Sequence, residues 1–490
     1  MPTAATLSLT PEERAWHEAL SPLQAEWLDF VAAHPEALSR AAFDDIERTP
    51  LMPETIQAWP LFLHRSRMAP MIDAGWEIFS LLKGVPERVF DADPERLAEF
   101  YGTGVPLARA AVKQLADPTC LDHVIGRTDL LKDSRGFLAC ELNCAGSLGG
   151  WLHWEERQVR QRLVSRFLAE RGLRVRPVDS MKAMLEHAVG VGLARNLASA
   201  TGDTQLNLAV LTHEPIPPGF EDRVGGLYRE AVERLAPGLT GRLIIGLENQ
   251  LRADARGRVY HGATPVQLFI DHAMDMIEGP IFRSQAAGLG FAFNGPVSPF
   301  LSDKRNLALL SEQIDRGDFY DAAERATIAR LFPWTRILTD DFTDRDGERF
   351  YLPDYVRAER DGLVIKPSGL FGGKDVIVGR SFTQAEWEAR VDTALAAGDW
   401  VVQEAVHLEE YLFQSPAGDG AVPHGIVFAT FHLGQRYTSC LVRGAPSGKR
   451  VVNVKNGGRR IVVLEVEDGA AVSSNDSSET SDPQETHDAP

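Results

Sequence analysis

Residues 124–143 read VIGRTDLLKDSRGFLACELN, two apolar-rich runs around the turn Asp133-Ser134-Arg135-Gly136-Phe137. Asp opens a type I turn and Gly takes the position that wants positive φ, the chemistry of a three-residue hairpin loop closing Asp133 against Phe137. That register sets Asp129 opposite Glu141 and Arg127 opposite Asn143, and strand alternation puts all four side chains on one face of the ribbon. Thr128, Leu130, Leu138, Cys140 and Leu142 then form the other face, which reads as core. Two carboxylates, an amide and a guanidinium are thereby gathered within roughly 5 to 8 Å. Such a set suits Mg²⁺ on a polyphosphate, because magnesium takes one or two carboxylates and completes its shell with phosphate oxygens and water. Arg127 would offset the charge of the terminal phosphate. The plainer reading of the same residues is a solvated polar face whose opposite charges pair weakly.

A second ribbon lies more than two hundred residues downstream. Residues 362–379, GLVIKPSGLFGGKDVIVG, read as strand, loop, strand, with Lys366 ending the first apolar run. Gly369, Gly372 and Gly373 let backbone N–H groups approach an anion, and Lys366 and Lys374 bring cations to it. The loop is no Walker A motif: Asp375 stands where Ser or Thr is required, and a strand follows where a helix should. Gly190-Val191-Gly192 lies within a helical pattern with no strand before it, so it is no dinucleotide turn either. Residues 399–411, DWVVQEAVHLEEY, form an apolar strand running into Gln403-Glu404 and then Glu409-Glu410, where a backbone edge could meet adenine and a carboxylate the ribose hydroxyls. The plain alternative for those acids is a solvated helix start.

Outward from these ribbons, the chain has 490 residues, 44% apolar and 24% charged, enough for several cores and incompatible with a fibre or global disorder. Its formal charge of −18 argues against a sequence-independent grip on nucleic acid. Four cysteines without CxxC spacing fit a reducing cytoplasm. No stretch approaches the ~20 apolar residues needed to cross a bilayer, so no membrane association is expected. His153 and His213 lack spaced metal partners, and Cys144 reads as a small buried hydrophobe rather than a nucleophile.

The order of periodicities predicts an α+β chain in five parts: a helical N-terminal lobe (1–119), opening on the Thr10-Pro11-Glu13 helix-start signature and free of strands; the acidic hairpin plus helices (120–204); a small α/β layer (205–300); a strand-rich part containing the lysine ribbon (301–466); and a disordered tail (467–490). The tail holds seven acids and no Lys or Arg, so the folded body is only moderately acidic.

Together these pieces resemble the ATP-grasp superfamily, in its circularly permuted branch that includes the synthetase domain of glutathionylspermidine synthetase and natural-product peptide ligases. The order carries the likeness: Arg127-Thr128-Asp129 and Glu141-Leu142-Asn143 precede KPSGLFGGK, the reverse of the ordinary arrangement. The match spans roughly 120–465 and leaves the helical N-terminus unexplained. It implies a permuted ATP-grasp fold with a small pre-ATP-grasp-like α/β layer, and NGPVSPFLSDKRNLALLSE resembles the helix entry whose lysine, here Lys304, contacts phosphate. By the same resemblance, Lys366 contacts nucleotide and phosphates beside Gly372, Gly373 and Lys374. The segment containing Gln403, Glu404 and Val406 reads adenine, and either Glu409 or Glu410 holds ribose. Asp129, Glu141 and Asn143 match the magnesium ligands, and Arg127 the arginine near the transferring phosphate. Arg443 and Asn453 are second-rank anchors for phosphate or carboxylate, with a structural role the alternative. The implied activity is an ATP- and Mg²⁺-dependent carboxylate–amine ligase passing through an acyl phosphate, acting on small carboxylate and amine substrates, cytoplasmic and often a homodimer. A small-molecule kinase and a non-catalytic nucleotide-binding module are the competing readings.

Overall fold

The computed structural model describes residues 10–34, 56–57, 59–144, 161, 164–212, 219–271, 279–369, 376–415, 421–447 and 458–467. The acidic tail beyond Glu467 and the loop residues 370–375, which include Gly372, Gly373 and Lys374, lie outside them, as do Asn453, His153 and His213.

Three sheets matter for the site. The largest is antiparallel and six-stranded, in the order Arg459–Ile461, Arg436–Pro446, Ala421–Leu433, Ile125–Asp133, Gly136–Asn143, with Glu410–Gln414 also pairing the first half of Ala421–Leu433. One face of it packs into the main core through Leu130, Leu142, Phe428, Val442 and Ile461. On the opposite face, one end is apolar: Ile125, Phe431, Leu433 and Leu441 bury against the helices Ser180–Ala194 and Phe220–Leu235. Those helices belong to a parallel four-stranded layer ordered Phe291–Ala292, Leu268–Asp271, Leu208–Leu211, Leu243–Gly246. Asn294 ties this layer to the acidic hairpin, accepting from the Ile125 N–H (2.8 Å) and donating to its carbonyl (2.6 Å). The dipeptide pattern around Gly190 and Gly192 lies inside the first of the helices, away from any strand-to-helix turn.

The third sheet is also antiparallel, in the order Thr335–Ile337, Trp400–Glu404, Leu363–Pro367, Ile377–Val378. Its alternation is clean. Leu363, Ile365 and Val402 bury with Trp387, Val391, Leu352 and Val356 from the helices Gln384–Ala397 and Leu352–Ala358. The other face presents Lys366, Gln403 and Thr335, since residues opposite in register share a face.

Two expectations change here. The N-terminal region is not wholly helical: Leu61–His64 forms a strand parallel to Val463–Val466. Four apolar-rich residues carry too little alternation to announce a strand, and their partner lies some four hundred residues away. The hairpin turn also differs, with a consequence for the site taken up below.

A candidate nucleotide cleft between two sheets

The hairpin closes one residue tighter than its turn chemistry predicts. Asp133 pairs Gly136, not Phe137, around a two-residue loop in which Asp133 Oδ1 accepts from the Arg135 N–H (2.8 Å) and Gly136 sits at φ 121°. That register would misalign the acids, but the pairing shifts between Asp129 and Leu130: Leu130 faces Ala139, whereas Asp129 faces Glu141. Cys140 is the extra residue of a β-bulge. The bulge restores the predicted neighbours Asp129–Glu141 and Arg127–Asn143. It also corrects the expected core face: Ala139, opposite Leu130, takes the place predicted for Cys140, and Leu138, opposite Leu131, turns away from that face. The Cys140 thiol stands among Lys366, Asp129, Glu141 and Arg443, and burial pushes its pKa up to about 12. Burial thus disfavours its thiolate, the nucleophilic form.

Each carboxylate of the hairpin has a cation. Asp129, 1% exposed, accepts from Arg127 Nε (2.8 Å) and Nη2 (3.2 Å) and also from Arg443 Nη2. Burial alone would raise its pKa, and the two guanidiniums outweigh that and hold it below the usual carboxylate range. Glu141 pairs with Lys304 Nζ at 3.0 Å. Lys304 is fixed just before the helix Arg305–Asp315, where its N–H donates to the Ser368 carbonyl (3.3 Å) while Ser302 Oγ accepts from the Cys144 N–H (2.9 Å). This short segment stitches the acidic hairpin to the end of the lysine strand. The side-chain nitrogen of Asn143 is buried with no hydrogen-bond partner among the described residues, an orphan that buried amides rarely are.

Lys366 comes across from the other sheet. Its Nζ donates to Gln403 Oε1 (2.7 Å) and to the Cys140 carbonyl (3.3 Å), the residue that the bulge turns outward. Burial lowers its pKa, Glu141 and Cys140 act to raise it, and Lys304 acts to lower it. A second link joins the same sheets at the rim, where Arg135 Nη1 at the hairpin tip lies 3.1 Å from Glu404, which Arg345 also approaches at 3.4 Å.

Of the remaining predicted residues, Gln403 spends both ends of its amide inside the protein, donating to Thr335 Oγ1 (3.0 Å) as well as accepting from Lys366. The N–H groups of Glu404 and Ala405 are engaged by the Trp334 and Gly362 carbonyls (2.8 Å each), so Val406 is the next backbone donor on the segment. Glu409 is buried on the core side, bound to Lys132 (2.5–2.6 Å) and to the Tyr411 hydroxyl (2.6 Å). Glu410 pairs with Gly425, and the strand alternation through Val427 to Ala429, opposite Asp129, puts Glu410 on the site face.

Sequence reasoning missed Arg460, Thr335, Arg135 and Arg345. Arg460 is buried and lies opposite Arg443 in register, adding a guanidinium to the face that carries Asp129. Nothing local tells which of Arg459 and Arg460 faces inward, because a one-residue slip exchanges them.

Among the described residues no group of three His, Cys, Asp or Glu side chains is arranged to hold a metal, and no helix is long and apolar enough to cross a membrane. The donors present are Asp129, Glu141 and Asn143, hard oxygen ligands too few to enclose an ion. They fit magnesium, which keeps water and phosphate in its shell; the orphaned Asn143 Nδ2 is a donor and suits an anionic oxygen beside the ion rather than the ion itself.

No protein-family model matches the chain, and no curated protein matches it. Among solved structures it is similar to a glutathione synthetase-like effector of Globodera pallida in its apo form, with a TM-score of 0.50 and 12% identity over 93% of this chain and 98% of that one. At that identity the likeness is one of fold. More distant are a putative gamma-glutamylcysteine synthetase of Methylobacillus flagellatus (TM-score 0.35, 10% identity, 78% and 85% covered) and D-alanyl-alanine synthetase A of Vibrio cholerae (0.30, 10%, 54% and 75%).

Proposed function

We propose that the chain is an ATP- and Mg²⁺-dependent carboxylate–amine ligase of the circularly permuted ATP-grasp type, acting on a small amino-acid or peptide substrate. One observation carries this reading: Lys366 Nζ reaches the carbonyl of Cys140, the residue next to Glu141, across 226 positions of sequence. A lysine ribbon and an acidic ribbon facing each other across two antiparallel sheets are what a clamped polyphosphate requires. The fold likeness to a glutathione synthetase-like protein supports the same class.

In this reading ATP lies between the sheets, adenine against the backbone after Gln403, ribose near Glu410, and phosphates between Lys366 and Lys304. Asp129, Glu141 and Asn143 hold magnesium, which neutralises phosphate charge when bound. Arg127 and Arg443 face the terminal phosphate. A substrate carboxylate attacks that phosphorus in line, ADP leaves, and an amine displaces phosphate from the acyl phosphate to give the amide. Phosphoryl transfer asks for charge neutralisation and alignment more than for a side-chain nucleophile, and cations dominate this cleft.

The test is incubation of the purified protein with ATP, Mg²⁺ and mixed amino acids. Phosphate release that depends on the amine indicates a ligase; a stable phosphorylated compound indicates a kinase; neither indicates a binding module. Lys366→Ala should weaken ATP binding by roughly tenfold or more, the worth of a charge-assisted bond to phosphate. Glu141→Gln should bind nucleotide yet lose most turnover. Undiminished turnover in Glu141→Gln refutes the metal assignment.

A further inference from the structure

We infer that Thr335 and Gln403 are a positioning pair for Lys366, through which a residue that touches no nucleotide sets the direction of the lysine's phosphate-facing N–H. The inference rests on the nucleotide-cleft reading and adds to it a residue with no motif of its own.

The three residues sit on three adjacent strands and share one face. Thr335 is directly opposite Gln403 in register, Gln403 is opposite Val364, and Lys366 is two residues farther along that strand. Thr335 Oγ1 donates its proton to the Pro333 carbonyl (2.8 Å), which leaves only its lone pairs for Gln403. The Gln403 Nε2 must therefore be the atom that faces Thr335 (3.0 Å), and Oε1 the atom that faces Lys366 (2.7 Å). A reversed amide would set its N–H groups against an ammonium and its oxygen against a hydroxyl with no proton to give. All three residues are buried, so water does not replace a lost partner cheaply.

An ammonium has three N–H bonds in fixed tetrahedral relation. Gln403 takes one and the Cys140 carbonyl, on the opposite sheet, takes another. With two acceptors fixed on separate sheets, the direction of the third N–H is set, and it is the one left for a phosphate oxygen. Without Thr335, the Gln403 amide loses the acceptor that fixes its plane, its oxygen is no longer held at one angle to the lysine, and a side chain with four rotatable bonds has one of its two anchors loosened.

The experiment measures ATP affinity by calorimetry with Mg²⁺ present, alongside thermal unfolding, for wild type, Lys366→Ala, Thr335→Val, Thr335→Ser, Gln403→Met and the Thr335→Val/Gln403→Met double variant. Thr335→Val keeps the shape and removes the acceptor; it should weaken ATP binding by about tenfold, the worth of one buried hydrogen bond. Thr335→Ser should restore affinity to within about twofold. In the Gln403→Met background, Thr335→Val should cost nothing further, because the hydroxyl acts only through the amide. Wild-type affinity in Thr335→Val while Lys366→Ala loses ATP overturns the inference, as do additive losses in the double variant or a Ser variant that fails to rescue. Should Thr335→Val not fold, Gln403→Met against Thr335→Ser decides: the first must weaken ATP and the second must not. A wild-type protein that binds no ATP overturns the cleft reading itself and this inference with it, an outcome distinct from a variant that merely matches wild type.

Discussion

At the scale of single residues, the cleft is a balance of buried opposite charges, and its sensitivity follows from burial. Asp129 receives hydrogen bonds from two arginines and is almost wholly enclosed. Replacing it by Asn leaves two guanidiniums without a counter-charge, a change expected to cost about 3 to 5 kcal/mol. Urea denaturation of Asp129→Asn checks this, and a midpoint equal to wild type would show that Arg127 and Arg443 find other partners. Cys144 is the opposite case. Its thiol is buried in the core, which pushes its pKa far above the ordinary range, and its ordered contact is a backbone N–H to Ser302. Cys144→Ala should therefore keep full turnover and cost about 1 kcal/mol, the price of a small cavity. Lost activity in a folded Cys144→Ala protein would restore it as a candidate nucleophile. Glu409 and Glu410 show what a residue-level motif leaves undecided: adjacent identical side chains end on opposite faces of one strand, the first bound to Lys132 and Tyr411, the second on the site face.

At the scale of elements, the acidic hairpin shows how a wrong turn can accompany a right pairing. Sequence rules for loops predicted three residues; the chain uses two and inserts Cys140 farther along, so the register at the acids is the predicted one. Turn chemistry is local, whereas the carbonyl at the bulge accepts from a lysine on another sheet, a contact local rules do not see. The hairpin's seat is equally demanding. A Cβ at Gly126 would lie 2.0 Å from Phe79 Cζ, inside the buried ring that packs against the start of the strand. Gly126→Ala must displace Phe79 or the strand and should cost at least about 2 kcal/mol. Because Arg127 and Asp129 follow immediately, ATP affinity should fall with the stability. Thermal melts of Gly126→Ala with and without ATP check both; an unchanged melting temperature would mean that Phe79 moves freely.

At the scale of the whole molecule, histidines from separate regions shape the response to acid: His17, His424 and His432 are fully buried and His187 is half-buried, and burial lowers the pKa of each. Burial holds His17, His187 and His432 at about 4, against an ordinary value of 6.5. His17 accepts from the Leu412 N–H, and His432 stands among Trp76, Phe79 and Tyr437. Between pH 6.5 and 4 the unfolded chain binds protons at these sites that the folded chain does not. Stability is therefore complete above about pH 6.5, declines as pH falls toward 4 by up to roughly 3 kcal/mol per histidine, and loses nothing more from them below that. Asp129, held below the usual carboxylate range, adds its own loss only at lower pH. Urea midpoints from pH 7.5 to 4.5 test the sign. His432→Phe should flatten the slope, and an unaltered slope would mean that this ring already titrates normally in the fold.

The amino-acid sequence by itself determined the local patterns: the alternation of the acidic and lysine ribbons, the helix cap at Thr10, the strand–helix–strand order of the parallel layer, and which chemical groups could serve a nucleotide. These follow from interactions a few residues long, which spacing records. Only the tertiary structure decided that Lys366 meets the Cys140 carbonyl, that Lys304 pairs with Glu141, that Arg460 turns inward beside Arg443, and that Gln403 donates to Thr335. Each depends on elements far apart in the chain meeting in one register, and a slip of one residue would send the strand residues Lys366, Glu141, Arg460, Thr335 and Gln403 to the opposite face.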